Sequence, residues 1–304
     1  MSSLPNVEAG SNPPSPAPLP WETYAAWLKP EWERFLQSCH NEPDMQDFLE
    51  RHPCLLPGAT DNVGGGGHHG ATFFAVIRQP LLKGLGPDRL PDFMWVRRST
   101  GVIHPICIEI ENPKKNWFTK GARETPGVPT AELTQALDQL IEWKVWFSKE
   151  ENQSIFKKMY APNHTHWRVE PEYVLVYGRD AEFRDGTSRH ANPTYMREKR
   201  DHMRRSNEHF WTYDRLRPIE EGGIYATLTR HESGWSLNSV PPTFSLDDFY
   251  YEDLCSVVKD PSEAISKSEL MPDEWKTRLA NQWQEIRDRA LARRNQSMSN
   301  RRNI

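Results

Sequence analysis

Two apolar runs decide how this chain folds: PDFMWV at residues 91–96 and PICIEIE at residues 105–111. Both are rich in the β-branched and aromatic residues typical of strands. The segment Ser99-Thr100-Gly101 between them supplies turn residues, so we predict that the two strands pair antiparallel. With a third strand-like run at residues 72–77, they predict an antiparallel meander at the start of a sheet.

The second run carries two acidic residues at alternate positions. Because side chains alternate along a strand, Cys107, Glu109 and Glu111 share one face and the three isoleucines the other. Alternate positions lie about 6.6 Å apart, so two such carboxylates can converge on a cation, joined by Asp92 if it faces the same side. The alternative is the solvated face of an amphipathic strand, a common antiparallel pattern. Glu is disfavoured in strands, which favours a functional site.

Helical periodicity precedes these strands. Apolar residues at steps of three and four predict a helix over residues 21–35, with a break or kink at Pro30. Asn41 is the predicted N-cap of a short helix that runs to about His52.

The second half of the chain continues the alternation of helices and strands. A long amphipathic helix is predicted over residues 131–148, followed by a polar connection and an interior strand at 173–177. A basic helix near residues 195–209 leads to a strand at 210–213 and a hairpin over 224–237. Residues from 249 onward are predicted to be helical.

This order of elements suits an α/β (α+β) fold, a mixed central sheet flanked by helices in which a later strand returns by a helical crossover. We divide the 304 residues into three parts. Residues 1–20 are a Pro/Ser-rich tail predicted to be disordered, 21–240 are the main domain, and 241–304 are a helical C-terminal extension with a polar tail.

Glu42 projects onto the same face of its predicted helix as Met45, Phe48 and Leu49. A carboxylate on an inward face is unusual. In the first turn it can instead be solvated, or stabilised by the positive end of the helix dipole.

Composition excludes several classes of protein. A net charge of −4 excludes a chain coated in basic residues, so a nucleic-acid partner needs a local basic surface. Four cysteines without a CxxC pair favour reduced thiols over a zinc ribbon or disulfide framework. The Gly-rich stretch at 64–70 lacks phosphate-loop spacing. Without a signal peptide or a bilayer-length apolar run, we expect a cytoplasmic protein with no membrane partner.

Two basic segments have a functional and a structural interpretation. Residues 196–205, with Phe210 and Trp211 nearby, can contact phosphates or form a solvated helix face with internal ion pairs. The arginines between 287 and 294 can likewise bind DNA or a partner, or serve solubility.

The order Pro-Asp, a gap and then Glu-x-Glu resembles the two motifs of the PD-(D/E)XK phosphodiesterases. Pro91-Asp92 is similar to the first motif and Glu109-Ile110-Glu111 to the second, with Glu111 where lysine is usual. The wider chain, over about residues 42–217, resembles the nuclease domain of the Shedu family. The similar stretches are MQDFLERHP at 45–53, IEIENP at 108–113, FTKG at 118–121, AELTQA at 131–136, QLIEW at 139–143, VLVYGR at 174–179 and TYDRL at 212–216.

The resemblance implies a PD-(D/E)XK restriction-endonuclease-like core and a metal-dependent DNA endonuclease of bacterial antiphage defence. Carried over by position, Asp92 and Glu109 ligate Mg²⁺, or Mn²⁺, with Glu111 and Glu42 as further ligands. Gln139 matches the family's glutamine motif and joins Asp92, Glu109 and Glu111 as a catalytic residue. A boundary glutamine at the edge of the core is the structural alternative for Gln139.

Glu111 departs from the usual lysine and cannot supply its positive charge. It can act as a general base or a metal ligand, and Lys114, Lys115 or Lys120 can replace the missing cation. A bound metal would polarise the phosphate and activate a water. We expect DNA as the partner and a homo-oligomeric assembly. The alternative function is a catalytically inactive nuclease-fold module that binds nucleic acid or a protein.

Overall fold

The computed structural model describes residues 16–39, 41–60, 63, 69–121, 125–246 and 251–302. They form a mixed α/β structure in which helices flank an eight-stranded mixed sheet, as the order of elements predicts. The glycines at 64–67 and most of the predicted tail, residues 1–15, lie outside the described residues.

The sheet has the strand order β6-β5-β3-β2-β1-β7-β8, with β4 beside β3. The first three strands pair antiparallel, whereas β5 and β6 return parallel to β3 after a helical crossover. The predicted hairpin, β7 and β8, joins the sheet parallel to β1. The strands are β1 (Ala75–Arg78), β2 (Phe93–Ser99), β3 (Val102–Ile110), β4 (Arg168–Val169), β5 (Glu172–Val176), β6 (Glu208–Trp211), β7 (Ala226–His231) and β8 (Gly234–Ser239).

The helices cover both faces of the sheet and its β8 end. Their bounds are α1 (Trp21–Ser38), α2 (Glu42–Arg51), α3 (Ala131–Phe147), α4 (Glu150–Tyr160), α5 (Pro193–Met203), α6 (Glu252–Val257), α7 (Ser262–Lys267) and α8 (Asp273–Arg302).

Helix α1 continues through Pro30, so the predicted break does not occur. Proline removes one backbone donor and frees the carbonyl four residues earlier, here that of Ala26. Pro30 and Ala26 both lie on the exposed side of the helix, where water can satisfy that carbonyl. Trp32 and Leu36 beyond the proline are buried, and their packing favours continuation.

Other boundaries also differ from the sequence predictions. Residues 72–74 form a 3-10 turn rather than the start of a strand, with Phe73 at a φ of 60°. Helix α4 occupies the predicted polar connection, and α5 ends at Met203. The predicted C-terminal helix is divided into three, with Pro261 and Pro272 at the breaks.

Strand β3 separates two apolar cores, as its alternation predicts. Ile106, Ile108 and Ile110 belong to the core beneath α1 and α2. Cys107 belongs to the core beneath α3 and α4. The sheet is therefore covered on both faces in the region of β3.

A third core joins the C-terminal helices to β1, β7 and β8. Arg287 of α8 donates to the carbonyls of Cys255, Ser256 and Val258 at the end of α6, so this arginine is structural.

The end of the predicted tail contacts the folded chain, since the backbone N–H of Leu19 donates to the carbonyl of Pro242 at 3.0 Å. All four cysteines are buried and unpaired. None of the described helices has an apolar stretch long enough to cross a bilayer.

His52 ties α1 to α2 in the interior. Its Nδ1 shares a 2.8 Å hydrogen bond with the Tyr24 hydroxyl, and the imidazole is buried. Burial, and then the charge of Arg51, lowers the pKa of His52 to about 3. A neutral imidazole is therefore part of the folded core.

We expect the stability that His52 contributes to be lost as pH falls from about 6.5 towards 3. A depressed pKa means that the unfolded chain binds the proton first, so each pH unit in that window costs about 1.4 kcal/mol. Urea titrations of the intact chain and of His52→Gln measure this, because other titrating groups contribute equally to both. Parallel pH profiles for the two proteins would contradict it.

Candidate active site

Asp92 and Glu109 are neighbours across the central strand pair. In the β2–β3 register Phe93 lies opposite Ile108, so Asp92, directly before β2, and Glu109, directly after Ile108, are the next residues along the two strands and interact electrostatically. Glu111 directly follows β3, where its N–H donates to the carbonyl of Val176. The three residues, Asp92, Glu109 and Glu111, have exposed fractions of 8%, 7% and 7%. The strand pairing therefore brings together three of the predicted carboxylates.

Asp92 is held by two hydrogen bonds from different elements. Its Oδ2 accepts the backbone N–H of Ile110 at 2.8 Å. Its Oδ1 accepts Nε2 of Gln46 at 2.6 Å. These bonds fix the orientation of the carboxylate against the sheet.

Helix α2 supplies Glu42 and Gln46 to the site. Asn41 caps the helix by accepting the N–H of Asp44 at 2.8 Å, as predicted. Glu42 is half-buried, and Gln46, one turn later, is buried and donates weakly to Glu42 at 3.4 Å. The structure thus favours an inward-facing Glu42 side chain over a fully solvated side chain.

Gln46 is a site residue that was not predicted from the sequence. The signal was available, because Gln46 lies four residues after Glu42 and therefore on the same face of the helix. A polar side chain beside Met45 and Leu49 on a buried stripe requires a partner in the interior, and that partner is Asp92.

The cluster concentrates negative charge in a buried place. Burial raises the pKa of Asp92 to about 7; Glu42 and Glu111 add to the rise. Burial and the three neighbouring carboxylates likewise raise the pKa of Glu109. Burial and then the charge of Glu111 raise the pKa of Glu42. The neighbouring negative charges therefore disfavour ionisation of Glu42, Asp92 and Glu109, as expected of like charges that share a site.

A lysine lies against this cluster. Nζ of Lys115 donates to the carboxylate of Glu111, four residues earlier. Of the three lysines that could replace the charge absent from position 111, Lys115 is the one that pairs with Glu111.

Gly178 and Tyr213 position the segment that carries Glu111 and Lys115. Gly178 follows β5 with a φ of 58°, and a Cβ there would lie 2.7 Å from the carbonyl of Lys115. The left-handed conformation and the close approach both require glycine. The buried Tyr213 donates its hydroxyl to the carbonyl of Glu111. Tyr213 is a second residue that sequence analysis did not place in the site.

Gln139 lies apart from these contacts. It is exposed on α3, and among the described residues it makes no hydrogen bond to the carboxylates. Its buried neighbours on that helix are Ala136, Leu140 and Trp143. A catalytic role for Gln139 stays a prediction.

The carboxylates fit a divalent cation by donor type and charge. Oxygen ligands suit Mg²⁺, and a dication would compensate the like charges that raise the pKa values of Asp92 and Glu109. Within the described ranges, no three His, Cys, Asp or Glu side chains are arranged as ready metal ligands. The fit is therefore one of chemistry rather than of preformed coordination.

A protein-family model described as "Shedu protein SduA, C-terminal" matches residues 40–216 of this chain. A search of curated proteins gave no match. The matched segment covers more than half of the chain and contains Glu42, Gln46, Asp92, Glu109, Glu111 and Tyr213. This chain, with its buried carboxylate cluster at the end of the central strand pair, belongs to the Shedu family.

Proposed function

We propose that this chain is a metal-dependent DNA endonuclease with a PD-(D/E)XK core. The observation that carries the proposal is the buried cluster of Asp92, Glu109 and Glu111 with Lys115 bonded to it. Carboxylates that can bind a metal ion, beside a cation, are groups suited to metal-dependent hydrolysis of a phosphodiester. Membership of the Shedu family suggests a role in antiphage defence.

Asp92 and Glu109 are the groups that would hold Mg²⁺ or Mn²⁺, with Glu111 and Glu42 beside them. A bound divalent ion would polarise the scissile phosphate and lower the pKa of a water. Before metal binds, burial and the neighbouring carboxylates raise the pKa values of Asp92 and Glu109, so the protonated form of each is more favoured than in water. Gln46 and the N–H of Ile110 orient Asp92 throughout.

In this proposal Glu111 occupies the motif position where lysine is usual, and Lys115, paired with it, supplies the positive charge. The ammonium group of Lys115 is partly exposed beside the buried carboxylate. It also lines a cleft of about 450 Å³ that opens to solvent, together with Lys114 and Arg189. From there Lys115 can stabilise the charge that develops on a phosphate, while Glu111 can accept a proton from water.

We expect Asp92→Asn and Glu109→Gln each to reduce cleavage by at least about 10²-fold, since each removes a charged metal ligand. Cleavage is measured on linear, nicked and single-stranded DNA with Mg²⁺ or Mn²⁺. Glu151→Gln, at an exposed position of α4, is the matched control and should cleave like the intact chain. If the intact chain cuts no substrate with either metal, the inactive nucleic-acid-binding or protein-binding module is the better function.

We expect Lys115→Gln to lower the rate of cleavage at saturating DNA by about 10²-fold, because it removes the cation beside Glu111. Lys120→Gln, at an exposed lysine further along the same connection, is the control and should change little. Lys115→Arg should recover part of the rate. Full activity of Lys115→Gln would rule out this role.

We expect Glu109→Gln to be more stable than the intact chain above pH 7 in EDTA, and equal to it near pH 4. A carboxyl whose pKa is raised by folding gives stability that is present below the unfolded pKa and lost as pH rises. The loss is about 1.4 kcal/mol for each pH unit between the unfolded and folded pKa values. With Mg²⁺ the intact chain should become the more stable of the two proteins, because the ion stabilises only the intact chain. Thermal unfolding at several Mg²⁺ concentrations tests this, and an equal response of both proteins would argue against metal binding at Glu109.

A further inference from the structure

Three clefts join into one groove that begins at Lys115, the lysine paired with Glu111. The first, of about 450 Å³, contains Lys115 and shares Leu36, Gln37 and Arg179 with a second of about 570 Å³. The second shares Asp214 and Arg217 with a third of about 470 Å³. We name this continuous surface the basic groove, and its cations used below are Lys29, Lys115, Arg179, Arg189, Arg215 and Arg217.

The topology of the sheet explains where the basic groove runs. Lys115 follows β3, Arg179 follows β5, and Arg215 and Arg217 follow β6. These three strands are parallel neighbours, so their carboxyl ends lie side by side. The loops beyond the carboxyl ends of parallel strands are where open α/β sheets bind ligands.

The charge of the groove is opposite to that of the chain. Nine Lys and Arg side chains and four carboxylates line the three clefts, whereas the whole chain has a net charge of −4. A concentration of one sign of charge in a concave surface attracts a ligand of the other sign.

Several of these cations have no carboxylate partner. Arg179 forms a two-bond ion pair with Asp214, at 2.9 and 2.8 Å. By contrast, within the part of the chain that the structure describes, Lys29, Arg189, Arg215 and Arg217 form no ion pair. The guanidinium of Arg189 donates to the carbonyl of Phe118, a neutral acceptor that leaves its charge uncompensated.

The aromatic rings of the groove are already covered. The guanidinium of Arg215 lies 4.3 Å from the centre of the Trp211 ring. Trp32 is buried and packs against Phe48 and Tyr213. No large free ring face is thus offered by Trp32 or Trp211 for a base to stack on, which favours contacts to phosphate and sugar over contacts to bases.

We propose that the basic groove binds the phosphodiester backbone of nucleic acid without sequence preference and directs it to Lys115 and the carboxylates. This inference rests on the proposed function, since it names the surface that holds the substrate of that site. Cations in the groove would act by releasing counterions from the phosphates, so binding should depend strongly on salt.

The test is binding of the full chain to a fluorescein-labelled oligonucleotide, measured by anisotropy in EDTA so that no cleavage occurs. We expect Lys29→Gln/Arg217→Gln to bind about tenfold or more weakly and to reduce the slope of log K against log salt by roughly 1 to 2. Both side chains are exposed, so the fold should be retained. Lys83→Gln/Lys149→Gln removes two exposed lysines outside the groove and should bind like the intact chain.

Comparing single-stranded with duplex oligonucleotides distinguishes the possible forms of the ligand. Tighter binding of a single strand would assign the groove to one isolated strand, and tighter binding of a duplex would assign it to one backbone of a duplex. Oligonucleotides of different sequence should bind equally. If the groove variant and the Lys83/Lys149 control bind alike, or if affinity depends on sequence, the inference is overturned.

The outcome is independent of catalysis. Groove-dependent binding by a chain that cuts no DNA would support the groove and reject the nuclease. Metal-dependent cleavage that the groove variant leaves unchanged in KM would support the nuclease and reject the groove. Arg189→Gln/Arg217→Gln is a second variant at two separate clefts, should the first fail to fold as judged by circular dichroism.

Discussion

The burial of Asp92 and Glu109 side by side across the β2–β3 pair is the constraint on which the site depends. Two carboxylates removed from water repel each other, and each loses solvation. Gln46 and the N–H of Ile110 stabilise Asp92, and Lys115 stabilises Glu111. Glu109 receives no comparable hydrogen bond among the described residues, so its ionised form is less stabilised than that of Asp92. Raised pKa values in such a cluster are typical of a functional site.

The same constraint explains the placement of the surrounding elements. Helix α2 must begin directly after its cap, Asn41, for Glu42 and Gln46 to meet the carboxylates. The turn after β5 must contain Gly178 for the Lys115 segment to pass beside it. Tyr213 follows β6 and fixes the carbonyl of Glu111. Parallel pairing of β3, β5 and β6 brings these contributions, and the basic groove, to one edge of the sheet.

Much of the fold could be predicted from periodicity and turn chemistry. The meander, the crossover and the two faces of β3 follow from local alternation, which the backbone imposes whatever the tertiary context. The errors have tertiary causes. The packing of Trp32 and Leu36 outweighs the helix-breaking tendency of Pro30. Helix α4 forms in a polar segment because Phe156 and Tyr160 belong to the core beneath α3 and α4. Boundaries depend on such contacts and are not local properties.

The sequence by itself determined the mixed sheet, the Asn41 cap, the run of acidic residues and the resemblance to the Shedu family, because each is carried by neighbouring residues. Only the tertiary structure decided that Gln46 and Tyr213 join the site, that Lys115 is the lysine that pairs with Glu111, and that Gln139 stays exposed. Those facts depend on the register between strands and on the packing of helices far apart in sequence. Side chains that meet through such long-range packing have no characteristic spacing in the sequence, so their contacts cannot be predicted from it.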